Sequence, residues 1–91
     1  MPAIDIKRSH AIPLADARAK VEHVARHLAE RFDMDWGWDG NTLQFRRSGV
    51  DGHIKVNAKS LHVTAELGFL LMALRGTVEK EIHRYLDEEF G

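Results

Sequence analysis

The sequence predicts an α+β fold: a single antiparallel sheet of about five strands with two helices on one face, in the order β-α-β-β-β-β-α. Three observations carry this. Between Met34 and Leu67, short segments alternate apolar and polar residues and are separated by turn signals, the mark of a meander of half-buried strands. The stretches before and after that region instead place apolar residues at i+3 and i+4 steps, as helices packed on a core require. The length of 91 residues fits one domain, residues 1–91, with a modest core.

Ala3–Arg8 alternates with Ile4 and Ile6 on one face, and reads as the first strand. Ser9–Ile12 is a connector. Pro13 suits the first turn of a helix, where its missing N–H costs nothing, and Asp16 follows in that turn. The first helix runs from about Pro13 to Phe32. Leu14, Ala17, Val21, Val24, Ala25, Leu28 and Phe32 make its core stripe; Asp16, His23, Arg26, His27 and Glu30 make its polar face. Met34, Trp36 and Trp38 then alternate with Asp35 and Gly37. Asp39-Gly40-Asn41 is a strong hairpin turn, after which Leu43 and Phe45 resume the alternation. Ser48–Gly52 reads as a second turn, and Ile54 and Val56 as the next strand. Ala58-Lys59-Ser60 turns again into Leu61, Val63, Ala65 and Leu67. Short turns make this meander antiparallel. Both helices cover its apolar face, leaving Lys55, Asn57, His62, Thr64 and Glu66 towards water.

The last third opens as the densest apolar run in the chain, Leu67–Leu74, and ends as an amphipathic helix. Read as one helix, Leu67, Leu71, Leu74, Val78, Ile82 and Tyr85 form a stripe with Leu86 at its edge. Glu79, Lys80, His83, Arg84, Asp87 and Glu88 oppose it. Before Gly76 the other side is apolar too: Phe69, Met72 and Ala73 point away from the stripe and Leu70 flanks it. Two readings stand. Either this helix start is buried on two sides, in the chain or in a homodimer, or Phe69, Leu70, Met72 and Ala73 are an exposed patch that meets a partner, a lipid or a polymer. The run of about eight residues is far short of the ~20 that span a bilayer. Gly76-Thr77 predicts a kink or a break, since an interior Gly costs about 1 kcal/mol and Thr is a good N-cap.

Composition excludes several classes. Lys and Arg number 13 against 14 Asp and Glu, for a net charge of −1, so the basic footprint of a nucleic-acid binder is missing. With 0 cysteines, disulfides, thiolate catalysis and zinc–thiolate sites are out. The start, Met1–Arg8, lacks the apolar stretch of a signal peptide, and the expected location is the cytoplasm.

Candidate chemistry is sparse. His23 and His27 stand i, i+4 on one helix face, a spacing able to hold a divalent metal, but Val24 stands where a metalloprotease has its catalytic Glu. No metal, cofactor or catalytic residue is assigned. His53 and His62 read as cross-strand neighbours on the solvent face. Asp39 and Asp51 precede glycines and read as turn residues, and the pairs Gly37/Gly40 and Gly49/Gly52 as turn glycines. Trp36, Trp38 and Phe45 share the core-facing parity; they either fill the core or line an apolar pocket.

Three stretches bear a resemblance: Ser48-Gly49-Val50-Asp51-Gly52, Leu67-Gly68-Phe69-Leu70-Leu71, and Gly76–Asp87. With Ile4–Arg8, Leu14 and the Arg-rich first helix, they resemble the polyhydroxyalkanoic acid system family over essentially the whole chain. These are short bacterial proteins associated with polyhydroxyalkanoate granule regions. The family often has Pro where this chain has Thr77, and either suits a helix start. The resemblance implies a non-enzymatic binding or regulatory role at storage granules, with the granule surface or a granule protein as partner. It supplies no catalytic residues. The other reading is a soluble apolar-ligand module similar to helix-grip lipid-binding folds, which needs an internal cavity of at least about 300 Å³.

Overall fold

The computed structural model describes residues 3–91, so Met1 and Pro2, where the leader reading begins, lie outside it. The element order is β1 (Ile4–Ser9), α1 (Leu14–Phe32), β2 (Asp35–Asp39), β3 (Thr42–Arg47), β4 (Val50–Val56), β5 (Ser60–Leu67), a 3-10 helix (Phe69–Leu74) and α2 (Arg75–Phe90). All five strands form one antiparallel sheet in the order β1-β5-β4-β3-β2. The meander is as the alternation requires, and β1 closes it by pairing with β5, Ile4 opposite Ala65 through Ser9 opposite Ser60.

Alternation decides the two faces. Ile4, Ile6, Leu43, Phe45, Ile54, Val56, Leu61, Val63 and Ala65 are buried under the helices, and every second residue faces water. α1 contributes Ala17, Val21, Val24, Ala25 and Leu28 to that core; α2 contributes Ile82, Tyr85 and Leu86. Among the described residues no polar or charged residue is buried. Pro13 sits one position before the helix, its carbonyl accepting the Ala17 N–H at 2.9 Å. α1 ends where Asp33 turns left-handed (φ 55°), and Arg47 donates to the freed Phe32 carbonyl at 2.8 Å. α2 runs antiparallel alongside α1. Across their joint His23 Nδ1 donates to Glu89 at 3.1 Å and the His27 ring stacks on Tyr85 at 4.9 Å. Arg8 of β1 ion-pairs with Asp87 of α2.

Four expectations are corrected. The second turn is only Ser48-Gly49; Val50, Asp51 and Gly52 belong to β4. Gly52 is there because its cross-strand partner Phe45 lays its ring over it: a Cβ on Gly52 would stand 2.2 Å from Phe45 Cζ. A glycine inside a strand commonly marks such a close approach. Gly37 likewise lies within β2, and Ser60 within β5.

The C-terminal stretch is the largest correction. Leu67 ends β5, opposite Val50, as its alternation with Leu61, Val63 and Ala65 requires, and does not also open a helix. The apolar run then coils as the six-residue 3-10 helix, held at its start by the Gly68 N–H donating to Gly49 O at 2.7 Å. The break falls between Leu74 (φ −97°, ψ 4°) and Arg75, leaving Gly76 in the first turn of α2, where no kink is needed. The phase of the stripe nonetheless survives in part, because Leu71 and the half-exposed Leu74 border the same cavity as Val78 and Ile82.

Candidate functional site

The Phe69–Leu74 segment is where the chain departs from the rule that apolar residues are covered. It crosses the end of the sheet at the β3–β4 turn. Its inner residues, Leu71 and Leu74, close an apolar cavity also lined by Phe32, Phe45, Val78 and Ile82. Its outer residues open to solvent: Phe69 is 93 % exposed and Leu70 85 %, Met72 at 45 % and Leu74 at 49 % each keep about half their surface open, and Ala73 is exposed beside them. None of the segment's residues is buried. The reading that placed these side chains within the chain's own core is therefore corrected. Adjacent residues on a coil point in different directions, and the sheet below ends before it can cover both sides.

Charges of both signs flank this segment, with carboxylates outnumbering arginines by one. Two open grooves border it. One is lined by Asp5, Glu66, Arg75 and Glu79 together with Met72, the other by Arg46, Arg47, Asp51 and Glu66 beside Gly68. Arg46 faces Asp51 at 3.7 Å, and His62 donates to Asp5 at 2.6 Å.

The aromatic candidates separate. Phe45 is buried and borders the apolar cavity, but Trp36 and Trp38 do not line it. The cavity holds about 50 Å³, well under the ~300 Å³ at which small-molecule pockets begin. The helix-grip reading thus lacks its chamber among the described residues. The two tryptophans instead lie half-buried along β2, under α1. Trp38 Nε1 donates to Glu22 Oε1 at 3.0 Å, the Arg18 guanidinium sits 4.5 Å from the Trp38 ring centre, and Arg26 5.8 Å from that of Trp36.

The histidines scatter. His23 and His27 are engaged separately with α2, by Glu89 and Tyr85. His53 lies opposite Thr64 and Gln44, while His62 lies opposite Lys7 and Lys55, so the two are diagonal and not direct neighbours. Asp51 faces Arg46 within the sheet and Asp39 faces Thr42, so only Asp39 borders a turn. Among the described residues no group of three metal-binding side chains converges, and no helix is long and apolar enough to cross a membrane. Sequence reasoning missed the Arg18–Trp38 and Arg26–Trp36 stacks. The signal available was that Arg18, Glu22 and Arg26 follow one another at i+4 beside two tryptophans of one parity.

Fold and site together define a two-layer α+β protein with a helix-covered sheet and an uncovered apolar segment at one end. The chain belongs to the family described as “Putative polyhydroxyalkanoic acid system protein”, whose profile matches residues 4–90. No curated protein and no solved structure matches it significantly.

Proposed function

We propose that this protein is a non-enzymatic binding component of polyhydroxyalkanoate storage that seats on the polyester surface through Phe69, Leu70, Met72 and Ala73, placing it at cytoplasmic storage granules. The observation that carries the reading is the exposure of two large adjacent apolar residues, Phe69 at 93 % and Leu70 at 85 %. Isolated exposed leucines need no explanation, but a contiguous apolar patch marks an interaction site.

Size and charge favour a polymer over the other occupants. By their exposed fractions these four residues offer roughly 450 Å², whereas a stable dimer buries about 800 Å² per partner. Withdrawing roughly 450 Å² from water contributes about 11 kcal/mol before the costs of association, enough for reversible adsorption. The border of the segment sets Arg46, Arg47 and Arg75 against Asp5, Asp51, Glu66 and Glu79, so no positive field draws it to anionic lipid. An uncharged apolar surface, such as that of a polyester, fits.

The test is co-sedimentation of the purified protein with polyhydroxybutyrate particles and with phosphatidylglycerol vesicles. Beside it stands a Phe69→Ser/Leu70→Ser variant whose melting temperature matches the wild type. Wild-type protein is expected in the particle pellet and not with the vesicles, and the variant in the supernatant. Wild-type protein that ignores the particles, or a folded variant that still binds them, refutes the reading.

A further inference from the structure

Among the described residues, β2 is an edge strand, hydrogen-bonded to β3 on one side only. Register decides which backbone groups face outward. The β2–β3 hairpin closes through the two-residue turn Gly40-Asn41, with Gly40 at φ 60°, so Asp39 and Thr42 form a hydrogen-bonded pair. Bonded and non-bonded pairs alternate along an antiparallel ladder. Asp35, Gly37 and Asp39 therefore bond to β3, and the N–H and C=O groups of Trp36 and Trp38 point out from the sheet. This is a short row of free donors and acceptors of the kind that accepts another strand.

The side chains give that row two distinct sides. On the helix side, Trp36 and Trp38 form a shelf fixed by Glu22, Arg18 and Arg26. On the open side stand Asp35, Gly37 and Asp39, all exposed, and a Cβ on Gly37 would meet nothing within 4 Å. No ion pair of the described residues uses Asp33, Asp35 or Asp39. The opposite edge differs: on β1, Asp5 is tied to His62 and Arg8 to Asp87.

Charge selects the occupant. Two copies of β2 paired antiparallel about Gly37 would set each Asp35 against an Asp39, and like charges directly opposite are unfavourable. A basic strand turns the same two positions into attractions. We propose that the free edge of β2 is a strand-addition site for an extended basic segment of another protein. That segment carries Lys or Arg at positions i and i+4, opposite Asp39 and Asp35, with apolar residues at i+1 and i+3 lying on the tryptophan shelf. The acidic edge thus rejects self-pairing and admits the basic partner.

The probes are two peptides, acetyl-Lys-Val-Gln-Val-Lys-amide and its Glu-Val-Gln-Val-Glu counterpart, titrated to millimolar concentration into the 91-residue protein and followed by amide NMR and hydrogen exchange. The lysine peptide is expected to shift the Trp36 and Trp38 amides and slow their exchange. It should bind at least tenfold tighter than the glutamate peptide, and its affinity should fall at least tenfold in Asp35→Asn/Asp39→Asn and in 0.5 M salt. Equal binding of the two peptides, undiminished binding by the variant or in salt, shifts confined to other residues, or no shift at all overturns the proposal.

Discussion

The Phe69–Leu74 segment and α2 are neighbours in the chain and end in opposite environments. α2 buries Ile82, Tyr85 and Leu86 and turns Lys80, His83, Arg84 and Glu88 outward. The preceding segment is the more apolar of the two, yet it buries nothing and leaves Phe69 and Leu70 almost bare. Composition does not separate them; the layer beneath does. α2 lies alongside α1 over the sheet, so its apolar stripe meets a full partner surface. The segment crosses the sheet's end, where Leu71 tucks inward, Leu74 and Met72 are half covered, and Phe69 and Leu70 stay 93 % and 85 % exposed. Periodicity states which residues share a face, and the extent of the neighbouring layer decides whether that face is covered.

The comparison breaks most decisively at Ile82. It is fully buried, borders the cavity and joins α2 to the core. Ile82→Ala is expected to cost about 2–5 kcal/mol in urea unfolding, the usual range for emptying a core site. A loss under about 1 kcal/mol would mean that α2 is as loosely seated as the segment before it. Next in size is Gly52→Ala, about 1–3 kcal/mol, because the new methyl group collides with the Phe45 ring, itself walled in by the core. A neutral result there would show that the sheet's centre can shift to make room.

Much of the fold was legible in the residues. The alternation in Leu61–Leu67 and in Ile4–Ile6 fixed both strands and their inward faces, and the i+3/i+4 steps from Ala17 to Leu28 placed the buried side of α1. Two features were not, and for a shared reason. Gly52 was read as a turn glycine because glycine fits both a turn and a crowded strand; only the Phe45–Gly52 register distinguishes them. Leu67 was read both as the last strand residue and as the first of the helical stripe, because its spacing suits either; its pairing with Val50 decides for the strand. At the candidate site, the apolar character of Phe69, Leu70, Met72 and Ala73 was plain, and their exposure was left between two readings. Exposure depends on where the sheet stops, which is a property of five strands in register and not of the segment itself.

The smallest expected effect is also the one that isolates the two regions from each other. Gly49 (φ 84°) accepts the Gly68 N–H on its carbonyl, and a Cβ there would lie 2.9 Å from Leu71 Cδ1. Gly49→Ala therefore combines left-handed strain of about 1–2 kcal/mol with a push against the inner side of the segment. Leu71 can yield, since only the tip of its side chain is struck, so the damage should stay local. The Leu71 and Met72 amides, which donate to Gly68 O, are expected to exchange faster with solvent, while the amides of α2 around Ile82 keep their wild-type protection. Release confined to the segment would make it an independently opening unit of low stability, as an adsorbing surface element can be. Faster exchange that spread through α2 would instead mean that the segment and the helix unfold together, and that the contrast between them is one of exposure alone.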